Sequence, residues 1–143
     1  MSTRNIHFFE EDIHYILKHK TKLRQWILNT IIEEKKLLTE LNFIFCSDNY
    51  LLNVNQTYLK HNTFTDIITF DNSENHTQLL GDIFISIERV RENAKIYQVA
   101  FFDELCRVLI HGTLHLLGYK DKTKTEKMLM TEKEDFYLQK RLF

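Results

Sequence analysis

The sequence predicts an α+β fold in a single domain of residues 1–143, with a small mixed β-sheet of about four strands and about five packed helices. The chain has 143 residues and a mass of 17.3 kDa, which suits one domain. Its hydrophobic fraction of 43% and charged fraction of 27% are typical of a globular protein with a buried core. Short strand-like segments alternate with helical ones up to residue 86, and only helical patterns follow.

The chain begins with two strand-like segments on either side of a helix. Residues 6–9 predict a short strand, and residues 41–46 predict a second, because aromatic and β-branched residues are concentrated there. Apolar residues recur at helical spacing between them, which predicts a helix over residues 15–34.

A second helix and a pair of strands follow. Ser47 or Asp48 can cap a helix over residues 49–59, since either side chain can accept a hydrogen bond from a free amide of the first turn. Residues 66–70 and 79–86 are rich in β-branched residues. They predict two strands paired across the polar turn that separates them.

The last third of the chain is predicted to be helical. Residues 87–98, 101–117 and 124–141 each carry apolar residues at helical spacing. Thr123 and Glu126 fit a capping box at the start of the last helix. We expect these helices to pack on the sheet.

Charge and hydropathy exclude several classes of protein. Nineteen Lys and Arg against twenty Asp and Glu leave a net charge of -1, which excludes a uniformly basic nucleic-acid coat protein. No stretch approaches the roughly 18 apolar residues of a membrane span, and the N-terminus lacks the apolar region of a signal peptide. We expect a cytoplasmic protein with no membrane partner and no organic cofactor. Cys46 and Cys106 lie in apolar runs, which indicates buried free thiols.

The strongest chemical signal is the segment HGTLHLLGYKD, residues 111–121, at the end of a predicted helix. His111 and His115 are four residues apart, so both imidazoles lie on one helix face and can bind one ion. Gly118 suits the left-handed turn that ends a helix, because glycine has no Cβ. The chain can then turn back and bring Asp121 in as a third ligand. Three ligands leave one position of a tetrahedral ion open, as in catalytic zinc sites.

The same spacing occurs in the H-E-x-x-H-x-x-G-x-x-H motif of metzincin peptidases. Gly112 stands at the position of their general-base glutamate, and Asp121 at that of their third histidine. Proteolysis by the same mechanism is disfavoured, because no glutamate is there to take a proton from the attacking water. A carboxylate is an acceptable ligand for Zn²⁺ and suits Mn²⁺ or Fe²⁺ somewhat better than a histidine does.

These residues also resemble a known family. Residues 111–119 are similar to the start of the H-G-x-L-H-L-x-G-Y-D-H hallmark of the YbeY endoribonucleases, also called rRNA maturation factors. Upstream, residues 65–70 (TDIITF) resemble the family's T-D-V-L-S-F, and residues 81–85 (GDIFI) resemble its G-D-I-x-I. Several spaced motifs in the right order make a chance resemblance improbable.

The resemblance implies one zinc ion per chain, bound by His111, His115 and the residue at the third ligand position, here Asp121. It also implies a cytoplasmic enzyme that cleaves single-stranded RNA, with 16S rRNA and the ribosome as partners. The family is associated with maturation of the 3′ end of 16S rRNA and with ribosome quality control.

The sequence departs from the family pattern in two places. Lys120 and Asp121 replace the closing Asp-His of the hallmark, so an aspartate becomes the third ligand. The family usually carries an arginine six residues before the threonine of T-D-V-L-S-F, and this position is Leu59 here. Lys60 or His61 can substitute in RNA cleavage, although a lysine offers a point charge rather than a planar fork.

Asp66 and Lys60 are therefore the candidate catalytic residues. Asp66 begins a strand where the family has a polar residue near the cleft, and its alternative role is that of a turn or cap residue. Lys120 and Lys122 flank the proposed ligand and are candidates for binding RNA phosphates. Their alternative role is that of solvated surface lysines.

Two other residues and two other functions remain open. Glu104 and Arg107 precede His111 on roughly the same helix face, where they can orient an imidazole or form an ion pair. The first rival function is a metallopeptidase-like hydrolase, which the ligand spacing favours and Gly112 disfavours. The second is a non-catalytic ribosome-assembly factor in which a metal stabilises the helix end.

Overall fold

The strands form a four-stranded mixed sheet, as predicted. The computed structural model describes residues 2–143. The strands are β1 (Ile6–Glu10), β2 (Leu37–Cys46), β3 (Ile67–Asp71) and β4 (Gln78–Ser86). Their order across the sheet is β1-β2-β4-β3. The first three strands in this order are parallel, and β3 runs antiparallel to β4.

Five α-helices lie within residues 2–143, which confirms the predicted α+β class. They are α1 (Lys20–Glu33), α2 (Asp48–Leu59), α3 (Ile87–Tyr97), α4 (Phe101–Leu116) and α5 (Lys124–Gln139). Helix α1 connects the parallel strands β1 and β2, because parallel neighbours require a long crossover. Among the described residues, no helix combines the length and the apolar character needed to cross a membrane.

The predicted start of the first helix is wrong. The sequence pattern placed it near residue 15, whereas α1 begins at Lys20. His19 has a left-handed backbone, with φ of 60°, and separates the helix from the preceding loop. Leu17 lies in that loop and is still buried in the core. Its apolar side chain therefore extended the helical pattern beyond the helix itself.

Strand β2 is longer than predicted. It begins at Leu37 instead of Leu41, and Leu37 pairs with Gln78 at the start of β4. The register shifts between Leu38 and Glu40. This irregularity interrupts the alternation of apolar and polar residues, so the sequence pattern revealed only the inner half of the strand.

Helix α4 packs closely against the sheet at Gly112. A Cβ atom at this position would lie 2.8 Å from Ile67 Cδ1 and 2.9 Å from Ile83 Cγ2, both too short for carbon atoms. The absence of a side chain therefore permits the close approach of the helix to β3 and β4. This contact places the neighbouring His111 next to the edge strand.

The predicted helix caps are present. Thr123 Oγ1 accepts a 3.1 Å hydrogen bond from the Glu126 amide, and Glu126 Oε1 accepts a 2.9 Å bond from the Thr123 amide. This reciprocal pair is the expected capping box of α5. Ser47 caps α2, since its Oγ accepts a 3.0 Å bond from the amide of Tyr50.

Both cysteines are buried free thiols, as predicted. Burial raises the pKa of Cys46 and that of Cys106 to about 12. Both thiols therefore remain protonated at neutral pH and behave as small apolar side chains.

Candidate metal centre

His111 and His115 lie near the end of α4 on the same face of the helix, and each side chain is 22% exposed. The chain reverses after the helix at Gly118, whose φ is 108°. The Gly118 amide donates a 3.0 Å hydrogen bond to the carbonyl of His115. Because the chain turns back here, Asp121 reaches both imidazoles, as the spacing of the motif predicts.

Three potential ligand atoms converge at this point. The Nε2 atoms of His111 and His115 are 2.9 Å apart. The Oδ2 atom of Asp121 lies 3.3 Å from the first nitrogen and 3.2 Å from the second. A tetrahedral ion with bonds of about 2.0–2.1 Å holds its ligand atoms about 3.3 Å apart. The three atoms are therefore arranged as ligands of one metal ion.

The hydrogen bonds on the far side of each ring support the same conclusion. His111 Nδ1 lies 2.5 Å from Glu134 Oε2, and His115 Nδ1 lies 3.0 Å from the carbonyl oxygen of Tyr119. A carboxylate and a carbonyl both accept hydrogen bonds, so each Nδ1 carries the proton. Each neutral ring then has a lone pair on Nε2. Two lone pairs facing each other are unfavourable unless a cation lies between them, so the donor set fits a metal ion.

Several carboxyl groups crowd the site and shift one another's pKa. Burial works to lower the pKa of His111, but the hydrogen bond and charge of Glu134 outweigh it, so this pKa is raised. Burial raises the pKa of Asp66, although the nearby His111 opposes the shift. Burial also raises the pKa of Glu104, and the charge of Asp66 adds to it. A divalent cation would relieve this accumulation of negative charge.

A cleft of about 590 Å³ opens beside the ligands. His111 and Asp121 form part of its wall, together with the carboxyl-bearing Asp66, Glu104 and Glu134. The volume lies within the usual range of ligand-binding clefts. The ligand atoms are thus accessible to a bound molecule rather than enclosed in a structural site.

The other residues singled out in the sequence have different positions. Asp66 lines the cleft, where Asn93 Nδ2 approaches its Oδ2 at 3.5 Å. Lys120 and Lys122 are exposed beside Asp121. Lys60 is exposed at the end of α2 and has a left-handed backbone, with φ of 56°. It is not among the residues that line the cleft in the described part of the chain.

Sequence reasoning missed Glu134, which contacts a proposed ligand directly. This residue of α5 is 7% exposed and lies on the same helix face as the buried Met130 and Tyr137. An acidic residue within an apolar helical stripe was the available signal. Arg107, which the sequence suggested as an ion-pair partner, donates 2.7 Å hydrogen bonds to Glu134 and Asp135 and so joins α4 to α5.

The fold and the site together define a class of protein: a small α+β protein with two histidines and an aspartate placed to bind one metal ion at the end of a helix, open to a cleft. Within this class, residues 5–141 match the family model described as Endoribonuclease YbeY. The chain belongs to this family, which confirms the resemblance found in the sequence.

Relatives are similar over nearly the whole chain. The Endoribonuclease YbeY of Cytophaga hutchinsonii is 53% identical over 144 residues, which cover 100% of both chains. That of Karelsulcia muelleri is 50% identical over 132 residues, or 92% of each chain. The solution structure of a protein from Thermotoga maritima is 27% identical and superposes with a TM-score of 0.66 over 94% of this chain and 87% of that chain. The solved structure also confirms the fold.

Proposed function

We propose that this protein is a zinc-dependent, single-strand-specific endoribonuclease that acts in maturation of the 3′ end of 16S rRNA and in ribosome quality control. The observation that supports this most directly is the convergence of three ligand atoms beside an open cleft in a chain of the Endoribonuclease YbeY family. In this proposal the protein acts in the cytoplasm on single-stranded RNA, with 16S rRNA and the ribosome as its partners. It requires no organic cofactor.

His111, His115 and Asp121 would hold one Zn²⁺ ion per chain. When bound, zinc lowers the pKa of a coordinated water and stabilises negative charge on a phosphodiester. The protein contributes two neutral nitrogens and one carboxylate oxygen and leaves the side towards the cleft open to substrate. Gly112 lies on the side of α4 that faces the sheet, so the chain has no counterpart of the peptidase glutamate at this position.

Asp66 is the group proposed to accept a proton from the attacking water. Glu134 already has a partner on each carboxylate oxygen, and Glu104 is only 6% exposed. Asp66 lines the cleft, and the side-chain contact of its carboxylate is a long one, at 3.5 Å from Asn93 Nδ2. Burial raises the pKa of Asp66, which makes its carboxylate a stronger base.

Lys60, Lys120 and Lys122 are proposed to assist with phosphate groups. Lys120 and Lys122 flank the ligand Asp121, where exposed ammonium groups can meet an RNA strand that enters the cleft. Lys60 is proposed to replace the family arginine and to contribute to catalysis from outside the cleft wall.

A non-catalytic ribosome-assembly role is the second candidate, and one observation favours it. Leu59 occupies the position of the family arginine, and the neighbouring Lys60 is not among the described residues that line the cleft. Arg107 does line the cleft, but its guanidinium is paired with Glu134 and Asp135. The cleft thus has little free positive charge to stabilise a cleaved phosphate.

The test is cleavage of a labelled single-stranded RNA by zinc-loaded wild type, His115→Ala and His14→Ala. His115→Ala removes a ligand atom, whereas His14 is an exposed histidine whose described partner is Glu10. We expect wild type and His14→Ala to cleave the single strand at equal rates and to leave the same RNA intact within a duplex. His115→Ala should lose at least about 100-fold in rate, because one ligand of the catalytic ion is removed.

The rival functions predict different results. Equal cleavage by all three proteins would identify a contaminating ribonuclease and contradict the proposal. Metal-loaded wild type that binds RNA without cutting it would favour the assembly factor. Chelator-sensitive cleavage of peptides but not of RNA would favour the peptidase-like hydrolase.

A further inference from the structure

Glu134 connects helix α5 to a ligand of the proposed metal ion. Its Oε2 atom lies 2.5 Å from His111 Nδ1, and its Oε1 atom accepts a 2.7 Å hydrogen bond from Arg107. The side chain is almost fully buried. Burial of a carboxylate costs free energy unless the charge is paired, so these two contacts explain how Glu134 can be buried.

Arg107 is itself held in place from the other side. One of its terminal nitrogens donates to Glu134, and the other donates a 2.7 Å hydrogen bond to Asp135 Oδ1. The planar guanidinium therefore spans two adjacent carboxylates of α5. The order of contacts is Asp135, Arg107, Glu134 and then His111.

The geometry points to Glu134 as a positioning residue that fixes the tautomer and orientation of His111 for metal binding. Its carboxylate accepts the Nδ1 proton, which leaves the lone pair on Nε2, the atom that faces His115 and Asp121. The negative charge also makes the imidazole a stronger ligand. The inference rests on the metal site of the proposed function but does not require RNA cleavage.

Glu134 acts on one of the two histidines. The other, His115, donates its Nδ1 proton to the carbonyl of Tyr119, which is a neutral backbone acceptor. Removal of the Glu134 charge should therefore change which ring nitrogen of His111 carries the proton. The protonated nitrogen of His115 should stay the same. This difference provides an internal reference within each protein.

The first variant is Glu134→Gln, with Asp135→Asn as its matched control. Both substitutions remove one carboxylate that contacts Arg107, but only Glu134 touches an imidazole. The new amide can donate its NH₂ group to Nδ1 and so stabilise the tautomer with a proton on Nε2. Zinc affinity, measured by competition with a chromogenic chelator, should fall about 10–100-fold in Glu134→Gln. It should stay within about threefold of wild type in Asp135→Asn, because the control keeps the carboxylate on His111.

Nitrogen NMR of the histidines in metal-free protein at alkaline pH separates positioning from a merely structural role. We expect His111 of wild type and Asp135→Asn to carry its proton on Nδ1, and that of Glu134→Gln to carry it on Nε2. His115 should be unchanged in all three proteins. Should Glu134→Gln fail to fold because Arg107 has lost one of its two carboxylate partners, the double variant Arg107→Gln with Glu134→Gln removes both charges and should show the same change at His111.

Zinc affinity within threefold of wild type, together with a retained Nδ1 proton on His111, would overturn the inference. A wild type that binds no zinc would overturn it as well, since there would be no metal site to position. Because both measurements are made without RNA, tight zinc binding by a wild type that cleaves no RNA contradicts the proposed function alone.

Discussion

Asp121 is the proposed third ligand of the candidate metal centre, at the position where the resemblance to the family implies a histidine. Its carboxylate lies 3.2 Å from His115 Nε2 and 3.3 Å from His111 Nε2, the separations expected of two ligands of one ion. A carboxylate lowers the net charge of the bound centre by one unit relative to an imidazole. The three candidate ligand atoms therefore have the spacing of a tetrahedral metal site, and the carboxylate would be a harder third ligand than an imidazole.

Substitution of Asp121 should separate the presence of a ligand from its chemical identity. Asp121→Ala removes one of three ligands, and we expect bound zinc to fall by at least about tenfold. Asp121→His restores a donor atom and should retain the metal. Metal content by atomic absorption after gel filtration measures both effects. Equal content in wild type and both variants would contradict the assignment of Asp121.

At the scale of elements, Glu34 joins the end of α1 to the segment after α4 and to α5. Its Oε1 atom accepts a 2.6 Å hydrogen bond from Tyr119 Oη, and its Oε2 atom accepts bonds from Lys133 and Tyr137. Burial works to raise the pKa of Glu34, but these hydrogen bonds outweigh it and hold the pKa below its usual value. Because the Tyr119 carbonyl also accepts the proton of His115, the cluster supports the metal site from behind.

The lowered pKa of Glu34 predicts a stability that depends on pH. Its contribution is complete above the unfolded value of 4.5 and is lost as the pH falls through the lower pKa of the folded protein. Glu34→Gln should reduce the free energy of unfolding by about 1–3 kcal/mol at neutral pH and should remove this part of the acid dependence. Urea denaturation at neutral pH and at low pH measures both effects.

The neighbouring Glu33 provides the matched control. It is about half exposed and pairs with Lys140 at 2.5 Å. Glu33→Gln should cost less than about 1 kcal/mol, because exposed ion pairs contribute little. Equal losses in the two variants, or an unchanged pH dependence in Glu34→Gln, would contradict the role assigned to the Glu34 cluster.

At the scale of the whole molecule, charge is distributed unevenly although its sum is only -1. Carboxyl groups line the cleft, where Arg107 is already paired. Exposed Lys120 and Lys122 flank Asp121, which lines the cleft. If these lysines contact RNA, a strand that enters the cleft would meet their positive charge first and would depend on the metal ion for positive charge inside the cleft.

Replacement of Lys120 and Lys122 by Gln should weaken the salt dependence of RNA binding. If both lysines contact phosphates, the slope of log K against log salt should become less steep by about 1.4, since each contact on a single strand contributes about 0.7. A cleavage-resistant 2′-O-methyl RNA and zinc-loaded protein allow the affinity to be measured across a salt series. Replacement of Lys18 and Lys20, exposed residues ahead of and at the start of α1, is the control and should leave the slope unchanged. An unchanged slope in the first variant would place the RNA elsewhere.

The sequence by itself determined the features that depend on residues close to one another along the chain. The two histidines four residues apart and Gly118 after them specify a helix end and a reversal, so the meeting of His111, His115 and Asp121 could be predicted. The α+β class and the capping box of α5 were predictable for the same reason. The predicted start of α1 was wrong because the loop residue Leu17 is buried beside the helix. Apolar periodicity indicates which residues are buried and does not report their backbone conformation.

Only the tertiary structure decided which distant residues support the site. Glu134 lies 23 positions after His111, and the packing of α5 on α4 brings the two together. The same packing decides that Arg107 pairs across helices and that Lys60 lies outside the cleft lining. Contacts between elements depend on how whole helices pack on the sheet, and no local spacing in the chain encodes that arrangement.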